Sequence, residues 1–144
     1  MKKKIFFACF ILIALSAGLS GCILNREKAV GYEYQNKELG FSFVVPKEFE
    51  YYHFQQKRAD GLIDLEAFTP TADTSYAQEV SGYAKFVTIR VTDGKNDPGE
   101  GFKKIGVGKN KVYSIRFWQT LPTDWADRWS PELQERIEKS FKVI

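Results

Sequence analysis

Short segments with alternating apolar and polar residues constrain the fold of this chain more than any other feature. In "LIDLEAF" (62–68) and "AKFVTIRV" (84–91), apolar residues recur at every second position, with polar residues such as Asp64, Glu66 and Arg90 between them. This period of two is typical of a strand with one buried face. The sequence therefore predicts an antiparallel β-sheet, with one face buried and the other partly covered.

Further strands are predicted on both sides of these segments. The segment "YEYQNKELGFSFVVP" (32–46) is typical of a hairpin, because Gly40 can turn the chain and Pro46 cannot continue a ladder. "FEYYHFQQ" (49–56) predicts another strand, and a second hairpin is expected to turn at "GKN" (108–110). The segments 70–82 and 93–101 lack strand periodicity and predict loops.

The C-terminus changes to a helical period. Ser130 followed by Pro131 is a good helix start, since serine caps the first turn and proline suits the first helical position. Leu133, Ile137 and Phe141 then recur every four residues. This apolar stripe predicts a helix packed on the sheet. A shorter helical turn is expected within residues 124–129.

The N-terminus has the organisation of a secretory signal. Three lysines at 2–4 precede an apolar run at 5–15 and small residues at 16–21. The apolar run is shorter than the roughly 20 residues that a transmembrane helix needs. The sequence therefore predicts a cleaved leader rather than a permanent membrane span.

The residues Leu19, Ser20, Gly21 and Cys22 resemble the lipobox of bacterial lipoproteins. The resemblance implies that a diacylglyceryl group is attached to the sulfur of Cys22 and that the leader is cut before it. Cys9 would leave with the leader, so the mature chain would hold one cysteine and no internal disulfide. Attachment through two or three acyl chains would be stable, because each buried methylene contributes about 0.8 kcal/mol.

Composition gives little sign of a charged partner. The chain has 21 basic and 18 acidic residues, and the leader carries three of the lysines and no acid. The mature chain would therefore have no formal net charge. This balance gives no electrostatic reason to expect nucleic acid as a partner.

The segment "YQNKELGFSFVVPKEF" is similar to the opening hairpin of the PsbP-like domains, with Gly40, Phe41, Phe43 and Pro46 at matching positions. The ending "LQERIEKSFKVI" resembles the last helix and short strand of the same family. The resemblance implies an α+β fold, an antiparallel β-sheet with the C-terminal helix packed on it in a PsbP-like α/β/α sandwich. It implies binding to other macromolecules rather than an activity. Many such domains have a middle helix, which here would be short, displaced to 74–82, or missing.

The candidate reactive residues are few. His53 is the single histidine, so a histidine-rich zinc site is excluded and a surface or sheet position is favoured. Asp93, Asp97 and Glu100 lie in a glycine-rich loop that could hold calcium, but their spacing does not fit an EF-hand, and an ordinary loop is favoured. The sequence thus predicts no metal, no cofactor and no catalytic residue.

Two further residue groups could carry a function, a pair of carboxylates and a group of aromatic residues. Asp64 and Glu66 share a strand face, and paired carboxylates could hydrolyse envelope glycans if a cleft held them at a suitable separation. A solvated strand face is the favoured interpretation of this pair.

The densest aromatic group gives the candidate binding patch. Core packing is favoured for these tryptophans, but a partly exposed patch beside an arginine could bind an envelope protein or glycan. The patch comprises Trp118, Trp125, Arg128 and Trp129.

Together these features predict a leader (1–21), a lipidated cysteine with a tether (22–31) and one domain (32–144). The expected function is that of a non-catalytic binding or accessory module, anchored by lipid to the extracytoplasmic face of a cell membrane or outer membrane. The alternatives are a hydrolase that uses carboxylates and a structural spacer in a larger complex.

Overall fold

A computed structural model describes residues 31–144 of the chain. The predicted leader and the lipobox residues Leu19 to Cys22 lie outside the described residues. Within them, strands dominate and the C-terminal helix is present, so the α+β class is confirmed.

The first sheet has three antiparallel strands in the order β1-β2-β8. The predicted first hairpin is confirmed, and its turn places Gly40 at a φ of 84°, which glycine adopts at little cost. The short strand after the helix pairs with the start of the hairpin's second strand. The strands are β1 (Gly31–Asn36), β2 (Phe41–Pro46) and β8 (Lys142–Val143).

The second sheet has five antiparallel strands in the order β3-β4-β5-β7-β6. A two-residue turn at Asp60 and Gly61, both with positive φ, joins β3 to β4. The predicted hairpin at 108–110 is confirmed. The strands are β3 (His53–Ala59), β4 (Leu62–Pro70), β5 (Tyr83–Thr92), β6 (Lys103–Val107) and β7 (Val112–Phe117).

The strand predicted over 49–56 begins later than expected. The N–H of Phe49 donates to the carbonyl of Pro46, which makes a turn, and Tyr51 has a φ of 57°. A positive φ is incompatible with extended backbone, so the strand begins only at His53. This turn separates the two sheets, and the prediction of one sheet was wrong in this respect.

The C-terminal helix α1 (Pro131–Ser140) begins as predicted. The Ser130 hydroxyl accepts from the N–H of Leu133 at 3.2 Å. At the other end, the Ser140 hydroxyl accepts from the N–H of Val44 at 2.9 Å, which places the helix along the edge of β2. The earlier helical turn is a short 3-10 helix (Thr123–Trp125).

The core lies between the five-stranded sheet on one side and the three-stranded sheet with α1 on the other. We call the face of the five-stranded sheet that meets this core the inner face. It presents Leu65, Ala67, Val87, Ile89, Val91, Tyr113, Ile115 and Phe117, which join one buried cluster with Leu133 and Ile137 of the helix. Aromatic contacts extend the cluster, as between Phe41 and Phe141 at 5.3 Å.

The opposite, outer face of the five-stranded sheet is covered by loops. The segment 71–82 contains turns but no helix, so the middle helix expected from the resemblance is absent from the described residues. Segment 93–102 contacts the far end of this face, where the Pro98 carbonyl accepts from the Arg90 guanidinium at 2.8 Å.

Candidate functional site

A β-bulge changes which side chains reach the outer face. Ala67 of β4 pairs with Val87, but the next residue, Phe68, pairs with Lys85, so Phe86 is an extra residue in β5. An extra residue reverses the side-chain direction beyond it. Lys85 is therefore brought to the outer face beside Phe68, although it shares the parity of Val87 along the sequence.

Glu66 is the centre of a charged network on this face. Its side chain is 7% exposed, and its Oε1 accepts from the Lys85 ammonium at 2.7 Å. Its Oε2 lies 2.5 Å from the ammonium of Lys57. The two lysines thus hold the carboxylate from both sides, as a buried charge requires.

A second carboxylate reaches the same two lysines from the 71–82 loop. Glu79 Oε1 lies 2.8 Å from the Lys85 ammonium, and Glu79 Oε2 lies 3.4 Å from that of Lys57. The hydrogen bond from Lys85, helped by Lys57 and opposed by burial, lowers the pKa of Glu79. The hydrogen bond to Glu66 is the main cause that raises the pKa of Lys57. Both groups are therefore held in their charged forms.

Cations and aromatic rings alternate along the rest of the outer face. The Lys85 ammonium lies 4.3 Å from the ring centre of Trp118. Arg116 lies over Trp118 at 5.3 Å and over Phe102 at 4.6 Å. Arg90 also lies over the Phe102 ring, at 4.3 Å. Such contacts stabilise by about 0.5–2 kcal/mol each.

Asp64 closes this row of charges. The Arg90 guanidinium donates to both of its carboxylate oxygens at 2.6 Å, and this pairing is the main cause that raises the pKa of Arg90. Asp64 and Glu66 therefore each bind cations in the sheet, and the expectation of a solvated strand face was wrong. Both oxygens of each carboxylate are therefore occupied by cations of the same sheet, whereas a catalytic carboxylate must reach the substrate directly.

A cavity of about 70 Å³ adjoins the charged network. Aromatic rings form much of its wall, and the charges of Lys85 and Glu79 lie at its border. Its lining residues are Phe68, Tyr76, Ala77, Glu79, Ala84, Lys85 and Trp118. Sequence reasoning did not find this site, because its parts come from separate strands and a loop.

Two aspartates fix the loop beside the cavity. Asp73 accepts from the N–H and hydroxyl of Thr123 at 2.9 and 3.0 Å. Hydrogen bonds from Ser75 and then from Thr123 lower the pKa of Asp73. Asp124 in turn accepts from the Thr71 hydroxyl at 2.7 Å. The start of the loop is thus tied to the 3-10 helix.

The predicted aromatic patch does not form one surface. Trp125 is 0% exposed and packs edge-on to Phe49 at 5.7 Å. Trp129 also contacts Phe49, at 5.5 Å, so both tryptophans belong to the core side. Trp118 lies on the outer face of the sheet. Core packing is confirmed for Trp125, and its place in an exposed patch is contradicted.

Arg128, the fourth residue of that patch, connects two turns. Its guanidinium donates to the carbonyl of Glu48 at 3.3 Å and lies 3.9 Å from the Asp124 carboxylate. It lies 5.6 Å from the ring centre of Trp125. These contacts give Arg128 a packing role beside Trp125.

The remaining candidates have structural contacts. His53 stacks on Phe68 at 5.2 Å in the sheet. Asp93 accepts from the N–H of Lys95, and Asp97 accepts from the N–H of Gly99, so these two carboxylates cap turns. In residues 31–144, no three side chains of the metal-binding types come together.

A group of tyrosines at the start of the domain was missed by the sequence analysis. Tyr51 is 81% exposed and Tyr32 is 46% exposed, and the Tyr32 ring lies 6.0 Å from that of Tyr52. We call Tyr32, Tyr51 and Tyr52 the tyrosine surface. It lies where the chain enters β1, because Gly31 pairs with Pro46 just before this turn.

Helices of the described region are all too short or too polar to cross a bilayer. Searches with family models, curated protein sequences and solved structures gave no significant match to this chain.

Proposed function

We propose that this chain is a lipid-anchored protein of the extracytoplasmic membrane face, and that its domain acts by binding rather than by catalysis. One observation carries the proposal: Leu19-Ser20-Gly21-Cys22 follows a charged and then apolar leader. Residues 23–30 connect Cys22 to β1. An extended chain spans at most about 3.6 Å per residue, so the domain would begin within about 30 Å of the membrane.

The charged network supports a binding role over hydrolysis. The carboxylates of Asp64 and Glu66 are each engaged by cations through both oxygens, so neither is free to contact a substrate as a general acid must. We also keep the PsbP-like assignment as a hypothesis. The hairpin ending at Pro46 and the strand after α1 support it, and the loop at 71–82 is a departure from it.

The tyrosine surface is the proposed contact region for an envelope protein or glycan. Tyrosine supplies a large amphipathic contact area and is enriched in binding hot spots. Tyr51 also has a φ of 57°, which costs about 1–2 kcal/mol for a residue other than glycine. Backbone strain of this kind concentrates at functional sites.

Mass spectrometry of the protein from its native membrane tests the anchor. We expect a mass that begins at Cys22 and carries two or three acyl chains, and we expect a Cys22→Ser variant to keep its leader and lack the lipid. A Ser20→Thr variant is the matched control. An unmodified Cys22 thiol in the native protein would refute the anchor.

Photocrosslinking in intact cells tests the contact region. A photoreactive residue at position 51 should give a specific adduct, and one at the exposed Asn110, at the opposite end of the domain, should not. Tyr51→Asn should reduce the partner's recovery at least about fivefold, because asparagine tolerates a positive φ but lacks the ring. Equal adducts from both positions would contradict this assignment.

A further inference from the structure

Two carboxylates bridge the same pair of lysines in similar ways, but they are held differently. Glu66 lies within β4 and its side chain is 7% exposed, whereas the side chain of Glu79 comes from a loop and is 50% exposed. The hydrogen bonds of the Glu79 carboxylate are those to Lys85 and Lys57. Glu79 can therefore leave by rotating its own side chain, whereas Glu66 cannot.

Departure of Glu79 would change the charge of the site. The network of Lys57, Lys85, Glu66 and Glu79 is neutral, so without the Glu79 carboxylate it would carry one net positive charge. The Lys85 ammonium, whose side chain is 7% exposed with Glu79 in place, would then lack one of its two anionic partners. A buried cation of this kind strongly favours an incoming anion.

The adjoining cavity provides space for the rest of such an anion. Its volume of about 70 Å³ is enough for about two water-sized groups, since each takes about 30 Å³ in the liquid. Phe68, Tyr76 and Trp118 supply apolar walls, which suit a short hydrocarbon group. The space that the Glu79 carboxylate occupies would receive the charged end of the ligand.

We propose that this cavity is a binding site for a small carboxylate ligand, which replaces Glu79 between Lys57 and Lys85. Glu79 is the internal competitor, and its contacts with the two lysines define where the ligand carboxylate binds. A free short-chain acid and an acylated amino acid at the end of a larger molecule both present such a carboxylate, and the experiment below distinguishes them. The inference goes beyond the anchoring function and does not depend on it.

The test is an NMR titration of the purified full chain in neutral detergent, at constant ionic strength. The probes are propionate for a free acid, N-acetylalanine for an acylated amino acid, and propionamide as the uncharged control. Propionate should shift the amide signals of Ala77, Ala84 and Lys85 in a saturable way. Propionamide should leave them nearly unchanged. Binding of N-acetylalanine at the same residues would identify the larger source, and its failure would restrict the site to free acids.

Variants separate this site from general anion binding. Glu79→Gln should tighten the propionate Kd about twofold, since it removes the competitor that reduces the open fraction. The control, Glu135→Gln, removes a carboxylate paired with Lys139 on α1 and should leave the Kd unchanged. Lys57→Gln, at a position 53% exposed, should weaken binding and keep the fold. An unchanged Kd in Glu79→Gln, or equal shifts with propionamide, would overturn the proposal.

Discussion

The two faces of the five-stranded sheet are both covered, but their chemistry differs. The inner face buries side chains such as Ile89 and Ile115, each at most 2% exposed. The outer face buries Glu66 and Lys85 as an ion pair under a loop. Apolar burial stabilises directly, whereas a buried ion pair must first offset the loss of hydration. We infer that the inner face supplies most of the stability, whereas the outer face holds the proposed ligand site.

The largest expected effect is on the core side. Trp125→Ala should lower the free energy of unfolding by about 4 kcal/mol, because it leaves a cavity beside Phe49. It also removes the indole hydrogen bond to the Pro70 carbonyl at 3.3 Å. Urea unfolding measures the loss. Val107→Ala, at an edge position 59% exposed, is the control and should cost less than about 0.5 kcal/mol. Similar losses of unfolding free energy for the two variants would contradict the claim that burial on the core side supplies most of the stability.

Loss of one charge on the outer face should have the next largest effect. Lys85→Met should cost about 3 kcal/mol, because it leaves the buried Glu66 carboxylate with the exposed Lys57 as its remaining cation. The same urea experiment measures it. Lys139→Met, which removes a cation 73% exposed on α1, should change stability by less than about 0.5 kcal/mol. If Lys85→Met lowers the free energy of unfolding by less than about 1 kcal/mol, water must already hydrate the Glu66 carboxylate, and the ion pair is not buried as described.

A smaller effect is expected where the inner face uses a polar group. The Tyr113 hydroxyl donates to the carbonyl of Leu39 at 2.8 Å, which links the two sheets. Tyr113→Phe should cost about 1 kcal/mol, since it removes this bond and keeps the ring. Tyr51→Phe, which changes an exposed hydroxyl, is the matched control. No difference between the two variants in thermal or urea unfolding would show that the link contributes nothing.

The smallest effect should depend on pH. Lys85 lowers the pKa of Glu79, so Glu79 contributes stability that is present above the ordinary carboxyl pKa of about 4.3. That stability is lost as the pH falls through the lowered pKa. Wild type should exceed Glu79→Gln by about 0.5 kcal/mol at pH 7, and the difference should vanish by about pH 2. Urea unfolding from pH 7 to pH 2 tests this, and a difference that grows in acid would contradict it.

The inner face could be predicted from the sequence because it follows a period of two. The same holds for the hairpin at Gly40 and the helix start at Ser130, where local side chains determine the turn and the cap. A local concentration of aromatic residues does not predict where their side chains lie. Phe117 and Trp118 are neighbours in the chain but lie on opposite faces of the sheet. Aromatic density alone therefore does not indicate a common patch.

The candidate site could not be predicted, because non-local pairing creates it. The bulge at Phe86 depends on how β5 pairs with β4, and without it Lys85 would point to the inner face. Glu79 comes from a loop without any periodic pattern. The separation into two sheets depends on the positive φ of Tyr51, a residue that rarely adopts it.

The most direct test of the difference between the faces is the unfolding free energy of the double variant Glu66→Leu with Lys85→Met. Replacing both members of a buried ion pair with apolar residues is often neutral or stabilising. We predict a value within about 1 kcal/mol of wild type, together with loss of propionate binding. A loss of about 3 kcal/mol or more would contradict the account, because the outer charges would then be a main source of stability.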